Sequence, residues 1–147
     1  MPLPSTVERV PRFAPDEYNE AIERALAGRI HHYAEHPEEI RERLEELDRE
    51  WDMERTLEAN AASLSLIGIT LGLLFGRKWL LLPLAVVAFL LQHALQGWCP
   101  PVPLFRHLGV RTQPEIERER HALKALRGDY EGVAGAAGEW ALEAARS

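Results

Sequence analysis

The chain has 147 residues, with 17 Lys and Arg against 23 Asp and Glu, and a single cysteine. Its net charge of -6 argues against a nucleic-acid-binding protein, which would carry a basic patch. One cysteine excludes an intrachain disulfide and a multi-cysteine zinc site. The N-terminus lacks the basic region and apolar core of a signal peptide, so membrane insertion would depend on internal segments.

Two amphipathic helices are predicted in the first third of the chain. The first begins at Ala14-Pro15-Asp16, and its apolar residues recur every three or four positions, at Tyr18, Ile22, Ala25, Leu26, Ile30 and Tyr33. Pro37 interrupts this pattern, because proline fits the first turn of a helix better than its interior. The second helix has apolar positions at Ile40, Leu44, Leu47 and Trp51, too few for a long coiled coil.

Two segments without Asp, Glu, Lys or Arg follow, from Ala59 to Gly76 and from Trp79 to Trp98. As helices they would measure about 27 and 30 Å, against a hydrocarbon core of roughly 30 Å. A buried helical pair in a globular fold is less favoured, since the amphipathic flanks offer too little apolar surface to cover it. The sequence predicts an all-α membrane protein with a two-helix transmembrane hairpin (59–98) between an N-terminal helical extension (1–58) and a C-terminal segment (99–147), both cytoplasmic.

Orientation is predicted from the basic residues beside the hairpin. Only Arg77 and Lys78 lie in the turn, whereas seven arginines flank the two ends: Arg41, Arg43, Arg49, Arg55, Arg106, Arg111 and Arg118. The positive-inside rule then places both termini in the cytoplasm. Tryptophans prefer membrane interfaces, so Trp79 is expected at the outer interface, and Trp51 and Trp98 near the inner one.

The second span is expected to end at the proline-rich run that begins at Cys99. Beyond it, Thr112-Gln113-Pro114-Glu115 has the spacing of a capping box and predicts a charged helix to about Arg127. Gly128 is a suitable C-cap. The Ala- and Gly-rich tail from Glu131 is expected to form one short helix around Trp140 or to stay loose.

A small-residue strip lies on the first span, where Gly68, Gly72 and Gly76 recur every four residues. Such a strip lets two helices approach closely. Its partner is either the second span or a second copy of the chain, and a mixture of both is expected.

Gln92, His93 and Gln96 form a polar cluster within about one turn of the second span. Polar residues at membrane depth are functional candidates, but histidine and glutamine also join helices by hydrogen bonds. Interhelical hydrogen bonding is favoured here over a proton or ion path.

Reactive groups are scarce. Cys99 ends the second span near Arg106 and His107, whose charge could lower its pKa, but a lone interfacial cysteine is more often an apolar filler. The histidines at 31, 32 and 36 are expected at the surface and not in a metal site. No catalytic residues, metal or cofactor are predicted, so the chain is not expected to be an enzyme.

The run Gly97-Trp98-Cys99-Pro100, followed by Leu104, Leu108, Gly109 and Thr112, resembles the YgaP-like transmembrane domain family of bacterial inner-membrane proteins. The resemblance covers roughly residues 57–112. It implies a two-helix hairpin in the bacterial inner membrane. Some members of that family carry a rhodanese sulfurtransferase domain, but the active-site cysteine loop of rhodanese is missing here, so that activity is not expected.

These features lead to an expected function as a non-enzymatic inner-membrane accessory or scaffold protein. It would contact lipid, self-associate and hold an unidentified protein partner, with no nucleic acid involved. Two alternatives stay open. Several hairpins could assemble into a proton or small-ion transporter around Gln92, His93 and Gln96, or Cys99 could relay sulfur or an oxidising equivalent.

Overall fold

A computed structural model describes Ser5 and residues 7–131, and this part of the chain is helical, with no β-strand in it. The α-helices are α1 (Asp16–Glu35), α2 (Ile40–Leu47), α3 (Met53–Phe75), α4 (Leu81–Gln96), α5 (Val102–His107) and α6 (Gln113–Arg127). Short 3-10 turns occupy Pro11–Phe13, Pro37–Glu39 and Arg77–Leu80. The predicted helix around Trp140 lies outside the described residues.

The chain divides into two compact units. The hairpin unit comprises Met1–Ile22 and Trp51–Gln113, and the charged unit comprises Glu23–Glu50 and Pro114–Ser147. Each unit therefore combines segments that are distant in sequence. The sequence-based division into three consecutive segments follows the order along the chain, whereas these units follow packing.

The hairpin unit contains two helical segments that are long and apolar enough to cross a membrane, Met53–Phe75 and Arg77–Gln96. The first is α3, and the second joins the 3-10 turn at Arg77–Leu80 to α4. Only 11% and 6% of the residues in their most apolar 18-residue windows are buried. Several large side chains are mostly exposed, including Leu73 at 81%, Leu74 at 70% and Leu84 at 66%. In the residues described here, α3 and α4 are therefore not the buried core of a globular unit.

Glycines set the geometry of the hairpin. A Cβ added at Gly68 would lie 2.5 Å from Cδ of Pro83, and one added at Gly72 would lie 2.5 Å from Cδ2 of Leu80. These two members of the small-residue strip thus face the returning segment of the same chain. Gly76 differs: it ends α3 with φ +123°, and an added Cβ would meet nothing within 4 Å. Its position is that of a turn glycine and not of a helix-packing residue.

Two hydroxyl groups of α3 donate to carbonyl groups of the same helix. Ser63 Oγ donates to the carbonyl of Ala59 at 2.7 Å, and Thr70 Oγ1 donates to the carbonyl of Leu66 at 2.8 Å. Exposed Ser and Thr side chains in an apolar solvent need such a partner, because an unmet polar group is costly there. Ser63 and Thr70 are therefore compatible with the apolar surface of α3.

The charged unit has its own apolar core, formed by Ile40, Leu44, Leu47, Ile116 and Leu123. Ile30 and Tyr33 of α1 pack against it. The predicted seam of the second helix is shorter than expected, since α2 ends at Leu47 and Trp51 is 50% exposed. Asp52 then accepts a hydrogen bond from the amide of Arg55 and caps the start of α3, so the helix restarts directly after Trp51.

The glycine contacts predict unequal effects of Gly68→Ala and Gly72→Ala. The ring of Pro83 cannot turn away from a new methyl group at position 68, whereas the end of the Leu80 side chain can rotate away at position 72. Overpacking against a rigid neighbour should lower the stability of the hairpin by about 1–3 kcal/mol for Gly68→Ala. Both changes gain the same helix propensity, so Gly72→Ala is a matched control. Unfolding of the two variants by titration with detergent measures the difference in their stability. Equal midpoints would contradict the close contact of Gly68 with Pro83.

Candidate functional site at the base of the hairpin

Three polar residues join the ends of the two long helices, and we call Arg9, Glu54 and His93 the clasp. His93 Nε2 lies 3.0 Å from Oε2 of Glu54, and Arg9 Nη2 lies 2.6 Å from Oε1 of the same carboxylate. A carboxylate only accepts, so both the imidazole and the guanidinium donate. His93 is 2% exposed, which makes this a largely desolvated contact on the imidazole side. Glu54 of α3 is thereby tied to α4 and to residues 7–15 before α1, which we call the N-terminal arm.

The N-terminal arm also closes the end of α4. Arg9 Nη1 donates to the carbonyl of Ala94 at 3.2 Å, where the last carbonyls of a helix carry partial negative charge. Gly97 is the left-handed C-cap, with φ +83°, and its amide donates to the carbonyl of His93 at 2.7 Å. A Cβ at Gly97 would lie 2.3 Å from the backbone oxygen of Arg9. Only glycine satisfies both the conformation and the contact.

The three residues of the polar cluster predicted on α4 differ in their burial. His93 is buried in the clasp, Gln92 is half-buried and Gln96 is exposed. The contact of His93 with Glu54 has the form of an interhelical hydrogen bond, an interaction worth about 0.6–1.7 kcal/mol inside a membrane. Glu54 and Arg9 were not among the sequence candidates, although they complete the site.

Cys99 lies in the apolar core at the base of the hairpin, together with Val10, Met53, Leu57 and Val102. It is 6% exposed and borders an apolar cavity of about 190 Å³ between α3 and α4. Burial raises the pKa of its thiol. A buried thiol with a raised pKa is a poor nucleophile, since the thiolate is the reactive form.

Alkylation of Cys99 should therefore be slow in the folded protein. We expect the thiol to react more slowly than a free cysteine at pH 7–8 and to become fully reactive on unfolding. A maleimide mass-shift assay in mild detergent measures both rates. Cys99→Ser keeps the side-chain volume at the desolvation cost of one hydroxyl group, and it should leave insertion and partner binding nearly unchanged. Fast alkylation near pH 7, or loss of all function in an inserted Cys99→Ser protein, would support the relay hypothesis instead.

The predicted interface tryptophans occupy different surroundings. Trp51 is exposed and carries the guanidinium of Arg55 at 4.4 Å from its ring centroid, a cation–π contact. Trp79 is 43% exposed beside the hairpin turn. Trp98 is half-buried and meets Phe89 edge-on, with ring centroids 6.3 Å apart.

Two of the three histidines around α1 contact each other, and one of them also contacts a nearby acid. The rings of His32 and His36 stack at 4.5 Å, and His32 Nε2 lies 2.9 Å from Oε2 of Glu39. His31 and His32 are exposed. In residues 7–131, no three His, Cys, Asp or Glu side chains are grouped so that they could hold a metal ion.

No protein-family model, curated protein or solved structure matches this chain. The resemblance to the YgaP-like transmembrane domain family therefore rests on the residues quoted for it and remains a prediction.

Proposed function

We propose that the protein is a non-enzymatic accessory or scaffold protein of the bacterial inner membrane. Its hairpin crosses the bilayer twice, and both termini lie in the cytoplasm. The charged unit holds a protein partner at the membrane. Assignment to the bacterial inner membrane rests on the resemblance to the YgaP-like family.

The observation that carries the proposal is the exposure of α3 and α4. Leu66, Leu73, Phe75 and Leu81 are each more than 65% exposed, on helices long enough to span a hydrocarbon core. Exposed apolar surface of this extent is unfavourable in water and favourable in lipid. The internally bonded hydroxyls of α3 agree with a lipid environment.

The hairpin base supports an accessory role over a thiol relay. Cys99 is buried among apolar side chains, and the clasp ties polar groups to one another instead of presenting them to a substrate. Self-association would use the outward faces of the hairpin, since Gly68 and Gly72 are occupied by the segment that follows them in the same chain. Those outward faces are apolar and exposed, as a helix–helix contact in lipid requires.

Topology is the decisive experiment. Reporter fusions after Gly128 and within the Arg77-Lys78 turn should give opposite signals, with Gly128 cytoplasmic, because seven basic residues flank the ends and two lie in the turn. The protein should also stay in the membrane pellet after alkaline carbonate. Extraction of the protein by alkaline carbonate would contradict the proposal of a transmembrane hairpin. The same signal at both fusion sites would contradict the topology with two membrane spans.

A further inference from the structure

We infer that α5 lies in the cytoplasmic membrane interface and inserts Leu104 and Leu108 among the lipids. This deepens the proposed function and rests on its transmembrane hairpin. A third element, α5, would thus contact the lipid, although it is too short to cross the bilayer.

The two faces of α5 differ sharply. Val102 and Arg106, four residues apart, are 0% and 1% exposed. Leu104 and the C-cap residue Leu108, also four residues apart, are 57% and 67% exposed. Two residues of helix correspond to a rotation of about 200°, so the leucines lie opposite the buried pair. An outward face made of large apolar side chains is unfavourable in water.

The inward face fixes α5 at a defined level of the hairpin. Val102 packs in one core with Leu57 and Cys99. Leu57 precedes Ala59, the first residue of the charge-free span, by two residues, or about 3 Å of helix rise. Cys99 follows Trp98, which ends the other charge-free span. The core that holds α5 therefore lies where both spans meet the interface.

The chemistry of the outward face favours lipid over a charged protein surface. The charge of Arg106 is directed inward, where Nη2 donates to Oδ1 of Asn19 at 2.6 Å. His107 is beside the ring of Tyr18, with centroids 5.1 Å apart. The exposed leucines thus form an uncharged apolar patch, as on helices that lie in the boundary between headgroups and acyl chains.

The test measures depth at single positions in vesicles of phosphatidylcholine and phosphatidylglycerol. In a Cys99→Ser background, Leu108→Cys and, separately, Leu104→Cys carry an environment-sensitive fluorophore. Leu73→Cys is the positive control on α3, and Glu17→Cys is the control at an exposed charged position of the same unit. Quenching is measured with lipids that carry a nitroxide near the headgroup or deep in the acyl chain.

We expect probes at 104 and 108 to emit at shorter wavelength than the probe at 17 and to lose most emission with the shallow nitroxide. The probe at 73 should respond to lipid nitroxides as a lipid-exposed control. Quenching at 73 with none at 104 or 108 would overturn the inference and leave the hairpin intact. A blue shift at 108 without lipid quenching would also overturn it, since a protein surface would then cover the leucines. No quenching at 73 would defeat the hairpin proposal itself.

Discussion

Gly97→Ala is expected to lower the free energy of unfolding of the hairpin unit by about 2–5 kcal/mol, as the sum of backbone strain and overpacking. With φ at +83°, an alanine here adopts a left-handed conformation that costs roughly 1–2 kcal/mol. Its Cβ would also lie 2.3 Å from the oxygen and 2.5 Å from the carbonyl carbon of Arg9, which are backbone atoms and must move together. Moving them would pull Arg9 away from Glu54 and from the carbonyl of Ala94.

Gly109→Ala is the matched control, because Gly109 has the same φ of +83° and an added Cβ there meets nothing within 4 Å. It should show only the backbone cost, about 1–2 kcal/mol. Thermal unfolding in mild detergent, together with the rate of tryptic cleavage after Arg12 in the arm, separates the two variants. Equal destabilisation would mean that the arm does not pack on Gly97.

The helices of the protein are readily predicted from sequence, and the clasp is not. Asp16 after Pro15, and Pro37 after α1, are local signals, and α1 begins at Asp16 and ends at Glu35. The charge-free segments likewise predict α3 and α4, because apolar length is a property of consecutive residues. Glu54 and His93, by contrast, are 39 residues apart, and Arg9 is 45 residues from Glu54. No spacing rule connects them.

Two helix boundaries in the structure also differ from what the sequence pattern predicts. The prolines after Cys99 predict the end of the second span, but α5 begins at Val102 with Pro101 before it and Pro103 within its first turn, positions that proline tolerates. Gly76 shares the four-residue spacing of Gly68 and Gly72, yet α3 ends there. Periodicity identifies a helix face, while the residue at which the helix stops depends on the turn that follows.

The second large effect is expected at Glu119, which is fully buried in the charged unit. Its carboxylate accepts from Arg29 Nε at 3.0 Å and from Arg43 Nε at 2.8 Å. Burial opposes the charge of Arg43, but the hydrogen bonds that it donates to Glu119 and Glu46 outweigh burial and raise its pKa. Arg43 therefore stays charged at any pH at which the protein is handled.

Glu119→Ala should destabilise the charged unit by about 3 kcal/mol, because it leaves two partly buried guanidinium groups without their shared carboxylate. That value is at the lower end for a broken buried pair, since the side chains of Arg29 and Arg43 remain 30% and 15% exposed. Glu23→Ala is the control: the pair of Glu23 with Arg118 is about half exposed on both sides and should contribute less than about 1 kcal/mol. Urea unfolding followed by circular dichroism compares them. If both variants lose equally little stability, the buried carboxylate does not organise the charged unit. The apolar core of that unit would then hold α1, α2 and α6 together alone.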